Sequence, residues 1–295
     1  MHKLFRFPQL FLFFLFSLTT TLFFAQGETD VYLVDIQETD QGFSFENFRN
    51  ISNNEGYDNQ PYFKDDTTLL YARTHGGQTD ISVLNLSENT EKYFNAKTEG
   101  GEYSPQPVPN SNDITAVRLD PDGKQRLYRY TEAGTSEEFI PDLVVAYYTL
   151  YNEHTVVSSV IEGDDLHLVV YDLTEGNSYK LLKGSGRSIH TIPDTKATSY
   201  TAKNEEGNFD VYQLDMETLE SFFVYQLPIG IEDYFWITDY KIIIGSGAQL
   251  FLYDLFGNGD WNKIADFSEK GITNITRLSI SPNGTKLAFV AETKK

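Results

Sequence analysis

The sequence predicts an all-β fold: a six-bladed β-propeller of four-stranded antiparallel blades, closed by a composite blade built from both termini. Three observations predict it. Paired strands recur along the chain, a marker position returns at a nearly constant interval, and each end supplies two strands that lack their partners. Composition agrees, since aromatic residues make up 15% of the chain, with 22 Phe and 19 Tyr. Such side chains favour a pleated, half-buried surface, and no long charged pattern of helical period competes with them.

In chain order, Leu69 to Arg73 leads through His75-Gly76-Gly77-Gln78 into Asp80 to Leu84. Ile114 to Arg118 leads through Asp120-Pro121-Asp122-Gly123 into Arg126 to Tyr130. The same pairing joins Val156–Ile161 to Leu166–Leu173, Ala197–Ala202 to Asp210–Leu214 and Lys241–Ile244 to Gln249–Leu255. Each pair follows one short strand and precedes another, such as Tyr179 to Leu182 or Phe222 to Tyr225. The position opening each unit falls at Tyr57, Tyr103, Tyr147, His190, Tyr234 and Arg277, at intervals of 46, 44, 43, 44 and 43 residues. After Arg277 only Leu278–Ile280 and Lys286–Ala291 remain, while the start supplies Asp30–Ile36 and Phe43–Ile51. Joined, these four strands make the closing blade and leave no open sheet edge for another chain to extend.

Residues 1–25 read as a secretory signal peptide: Lys3 and Arg6, an apolar run from Phe7 to Phe24, then Ala25. An uncleaved amino-terminal anchor is the alternative, because the run approaches the length that spans a bilayer. On the first reading the propeller occupies residues 26–295, no membrane insertion follows cleavage, and the protein is periplasmic or secreted. The sequence has no cysteine, which excludes a disulfide framework, a thiolate metal site, a cysteine nucleophile and lipoprotein attachment. A net charge of -20 argues against nucleic acid, whose binders cluster Lys and Arg to displace counterions.

The stretch Asn53-Asn54-Glu55-Gly56-Tyr57-Asp58-Asn59-Gln60-Pro61, followed by a strand, a turn and Thr79-Asp80-Ile81, resembles the PD40 repeat of TolB-like propellers. Glu102 to Pro107 and Thr276 to Leu287 repeat it. The motif is specific for fold and weak for function. Proteins of this kind include the periplasmic TolB of the Tol-Pal system, propeller domains attached to peptidases, and lyases acting on oligogalacturonate. The chain has no room for the α/β domain that precedes the propeller in TolB, so the resemblance implies a lone propeller.

Propellers bind ligands at the channel mouth, where loops entering the innermost strands converge. The residues expected there are Glu55, Tyr57, Asp58 and Gln60 from one blade, and Glu102, Tyr103 and Ser104 from the next. Tyr147 follows, then Arg187, Ser188 and His190, then Glu232, Asp233 and Tyr234, and finally Thr276 and Arg277. Arg187, Glu232 and Arg277 are 45 residues apart and should alternate in sign around the rim. These groups read either as a polar funnel with aromatic walls or as ion pairs and packing that finish the inner strands. Arg73 and Arg118, on second strands, are expected to tie neighbouring blades.

His190 is the one candidate acid-base group. His75, His154 and His167 fall elsewhere in their blades, so the histidine cluster about a metal that lyase relatives use is not reproduced. No cofactor is expected. Ca²⁺ on Glu55, Asp58, Glu102, Glu232 and Asp233 is the alternative, since a hard cation takes oxygen ligands. No phosphate-binding fingerprint is present. The leading expectation is a non-catalytic, monomeric envelope propeller that binds a protein or peptide. The alternative is a secreted propeller that binds or cleaves carbohydrate with His190 and the rim carboxylates.

Overall fold

A computed structural model describes residues 27–40, 42–94 and 98–293. The signal-peptide segment lies outside the described residues, and among those described no helix is long and apolar enough to cross a membrane.

The described strands form six four-stranded antiparallel sheets. Blades 1 to 5 follow the chain, and their first strands are Asp58–Asp65, Gly101–Pro107, Val145–Asn152, Ser185–Thr191 and Phe235–Trp236. Blade 6 is composite, in the order Gly42–Asn50, Asp30–Thr39, Lys286–Thr293, Ile272–Ile280. The expected closure is therefore present, with Asp30 opposite Ala291 and Asp35 opposite Lys286. Ahead of that seam, Thr29 forms a parallel bridge with Tyr57, and its amide and carbonyl bond Gly56 and Asp58 at 3.0 Å each. The first residues are thus fixed to blade 1 as well as to blade 6.

Burial follows each strand's position in its blade. The second strand of blade 4, Ala197–Lys203, is buried at every residue but the last, because a blade packs on both faces and its middle strands meet no solvent. The outermost strand of blade 1, Thr90–Tyr93, is exposed throughout. Six hydrophobic clusters result, one in each gap between neighbouring blades. The seam between blades 5 and 6 stacks Phe267 on Phe289 and Phe289 on Tyr32, with ring centroids 5.2 and 5.6 Å apart. The aromatic composition is spent largely in these gaps, where broad flat rings cover area at small entropic cost.

Polar ties join the same gaps. Gln60 Oε1 accepts from the Ser104 amide at 2.9 Å, and Gln106 Nε2 donates to the Tyr148 carbonyl at 2.7 Å. Ser159 Oγ donates to the Gly186 carbonyl at 2.7 Å, and the Tyr234 hydroxyl donates to Ser199 Oγ at 2.7 Å. Arg277 Nη1 donates to Asp233 Oδ1 at 2.9 Å, and the Phe63 amide reaches Ser279 Oγ at 3.4 Å. Every pair of adjacent blades is joined by one of these bonds.

Arg73 and Arg118 correct an expectation. Arg73 pairs with Glu91 on the outer strand of its own blade. Arg118 bonds Asp120 at 2.5 Å and lies over the Tyr128 ring at 3.4 Å, again within one blade. Both arginines find their acidic partners within their own blade, on its outer strand and its hairpin turn, and so do not reach the next blade.

Two stability predictions follow from the packing. Removing residues 286–295 deletes the strand that joins the termini, and the truncated protein should lose its cooperative melting transition. A Cβ on Gly245 would sit 2.5 Å from Ile275 Cγ2 and 2.8 Å from its carbonyl oxygen, in the gap between blades 5 and 6. Gly245→Ala should lower unfolding free energy by about 1–3 kcal/mol in urea titrations.

Candidate functional site

The innermost strands of all six blades line one axial cavity of about 80 Å³, walled by Gln60, Ser104, Tyr147, Arg187, His190, Asp233 and Arg277 among others. An irregularity in five of these strands brings them there. Register shifts fall between Asn59 and Tyr62, Tyr103 and Gln106, Val145 and Tyr147, Ser185 and Ile189, and Ile275 and Leu278. A bulge turns the strand and re-aims its side chains. At Gln60 and Ser104 the backbone enters the left-handed region, with φ of 55° and 52°, immediately before Pro61 and Pro105. Non-glycine residues hold that conformation where surrounding bonds fix it. Here the Gln60 side chain binds the Ser104 amide, and the Ser104 carbonyl accepts from the Tyr148 hydroxyl at 2.9 Å.

Asp233 is the electrostatic centre. Its carboxylate is 5% exposed and lies between two arginines carried by the flanking blades. Oδ1 accepts from Arg187 Nε at 3.1 Å, Ser188 Oγ at 3.1 Å and Arg277 Nη1 at 2.9 Å. Oδ2 takes Arg187 Nη2. Glu232, which is largely solvent-facing, reaches Arg187 Nε at 3.3 Å. Sign therefore alternates around this part of the rim as expected, but Asp233 carries the contact to Arg277.

The opposite half of the mouth is aromatic. The Tyr57 and Tyr103 rings meet edge to face at 6.2 Å, and the Arg277 guanidinium lies 5.7 Å from the Tyr147 ring centre. Burial pushes the Tyr57 hydroxyl up to about 12, with Arg277 and Arg187 pulling the other way. Tyr57 therefore stays a neutral hydrogen-bonding group at any physiological pH.

His190 packs edge to face on Tyr234 and Phe235, with centroids 5.0 and 5.1 Å away. Burial lowers its pKa to about 4 against a smaller opposing pull from Asp233, so the ring is neutral near pH 7. Its Nε2 is enclosed and meets no partner among the described residues. Asp233 is engaged by both arginines and Ser188, so it does not serve His190 as a partner in proton transfer.

Of the expected residues, Glu55, Tyr57, Asp58, Glu102, Tyr103, Glu232 and Thr276 do not line the cavity. Glu55 is exposed on the loop before blade 1. Asp58 is buried within blade 1, where it accepts from Asn54 Nδ2 at 3.1 Å and the Thr74 amide at 3.3 Å. Glu102 is buried within blade 2, bonded by Thr98 Oγ1 and by the Tyr130 hydroxyl at 3.1 Å. Tyr234 touches the cavity, but its hydroxyl is committed to Ser199. Among the described residues no three His, Asp or Glu side chains gather as metal ligands would, and the five carboxylates considered for Ca²⁺ are dispersed. Tyr62, Gln106, Tyr148 and Phe235 also line the cavity and were not anticipated. They lie one to five residues past the marker positions; the pre-proline pairs Gln60-Pro61 and Ser104-Pro105 could have pointed to Tyr62 and Gln106, and no such signal accompanies Tyr148 or Phe235.

No family model and no curated protein matches the sequence. Solved structures match in shape. A putative TolB from Agrobacterium tumefaciens aligns with a TM-score of 0.70 at 12% identity, over 91% of this chain and 100% of that one. TolB from Acinetobacter baumannii gives 0.58 at 12% identity over 92% of this chain and 66% of that one. An oligogalacturonate lyase from Vibrio parahaemolyticus gives 0.53 at 12% identity over 91% and 99%. These likenesses establish the fold: a six-bladed propeller, distantly similar to TolB-like propellers.

Glu102 generates a prediction about stability. Burial raises its carboxyl to about 7, and the nearby Asp80 adds to the rise. Its folded-state value exceeds the unfolded one of about 4.3, so its contribution is complete below that value and is lost as pH rises through 7. Glu102→Gln should gain about 1–3 kcal/mol relative to the parent between pH 5 and pH 8, read from urea midpoints at both pH values.

Proposed function

We propose that this protein is a non-catalytic propeller that binds a protein or peptide partner at the axial mouth. The carrying observation is the polarisation of that mouth, with tyrosines from blades 1 to 3 facing Arg187, Asp233 and Arg277 from blades 4 to 6. A surface half aromatic and half charged suits a polypeptide, which offers side chains to stack and backbone or terminal groups to bond. The similarity to TolB propellers is in keeping with such a role, and the exported location inferred from residues 1–25 would put the partner in the cell envelope or outside the cell.

Photo-crosslinking tests this reading. The full chain, carrying a photoreactive phenylalanine analogue at Tyr103, should trap a discrete protein in cells. Arg187→Gln combined with Arg277→Gln, checked by its melting curve, should reduce that product at least tenfold. An undiminished product, or none from the parent protein, would overturn the proposal.

A further inference from the structure

Asp233 uses only part of what the two arginines offer. A guanidinium carries five N–H donors in a planar fork. Asp233 takes Nε and Nη2 of Arg187 but only Nη1 of Arg277. Among the described residues nothing accepts from Arg277 Nε or Nη2, or from Arg187 Nη1, and both side chains line the cavity. Both side chains are partly exposed at the mouth, so these donors can be reached from solvent, and a planar fork suits a carboxylate best. Arg187 pairs with both Asp233 and the half-exposed Glu232, whereas Arg277 pairs with Asp233 through one nitrogen.

The recess opens to solvent and admits a carboxylate with the atoms beside it. Polarity selects the source and the orientation. A ligand whose carboxylate faces Arg277 has the Tyr147 ring, 5.7 Å from that guanidinium, beside its next atoms, so it should carry an anion and an adjoining side chain on one carbon. A polypeptide has both on its last residue, and its end can enter an axial hole without laying a continuous backbone across the mouth.

Building on the binding role above, we propose that the mouth captures the free C-terminal carboxylate of its partner, with Arg277 and the Nη1 end of Arg187 as donors and Tyr147 beside the last side chain. Capture of a chain terminus by clustered donors is an established mode of peptide recognition.

The test uses immobilised full-length protein and a randomised hexapeptide pool made twice, once with a free C-terminal carboxylate and once as the C-terminal amide. Retained peptides are identified by mass spectrometry and their affinities measured by fluorescence anisotropy. The acid form should bind at least tenfold tighter than the amide, weaken as salt rises, and fall to the amide level in Arg277→Gln. The acid-amide comparison on the parent protein does not depend on that variant folding. Equal binding of the two forms, with loss in Arg277→Gln, would overturn terminal capture and leave the peptide-binding role standing. Retention of neither pool would overturn both, and binding of oligogalacturonate in their place would assign the mouth to glycans.

Discussion

The pairing of Asp30–Thr39 with Lys286–Thr293 turns a row of blades into a ring, and the other contacts presuppose it. Each blade is an amphipathic sheet that must cover both faces, and an open row would leave two faces bare. Closure gives six equivalent gaps, and each holds an apolar cluster and a polar tie. The terminal pairing is also the most non-local contact in the fold. Its loop-closure entropy must be overcome before the last gap returns any stabilisation.

Closure also explains why the site and the scaffold share residues. Asp233 belongs to blade 5 and is held by Arg187 of blade 4 and Arg277 of blade 6, so one carboxylate ties three blades together at the axis. A buried carboxylate with neither arginine would be an uncompensated charge, and removing Asp233 would leave two guanidiniums facing each other. The pairing holds the arginines in fixed positions. In the proposed complex a ligand would meet donors already held in place, which reduces the entropic cost of binding.

The architecture was legible in the sequence because it rests on repetition. Strand pairs, the marker interval and the incomplete ends each report a property of the backbone, and all three agree with the described structure. The site was legible only in part. The marker position found Tyr57, Tyr103, Tyr147 and Arg277 on the inner strands, but it could not reveal which neighbours turn inward. Bulges decide that, and a one-residue shift sends a side chain to the opposite face. Asp58 and Glu102 illustrate the limit. Acidic residues beside a marker tyrosine looked like rim groups, yet Asn54 and Thr74 draw Asp58 inward, as Thr98 and Tyr130 draw Glu102.

That inward turn shapes the mouth as much as the groups that remain there do. Had Asp58 and Glu102 faced the axis, two carboxylates would have stood among the tyrosines, close enough to Arg187 and Arg277 to compete for their free donors. Buried instead within blades 1 and 2, they leave the tyrosine half neutral and Asp233 as the one buried acid in contact with the arginines. In a chain of net charge -20, the arginines then meet two acids, Asp233 and Glu232, of which only Asp233 reaches Arg277. The cost is carried inside the blades, where Asp58 Oδ2 and Glu102 Oε2 are buried without a hydrogen-bond partner among the described residues and burial holds both carboxyls above their ordinary values. Stability is thus lost in blades 1 and 2, while the tyrosine half of the mouth stays free of those two carboxylates.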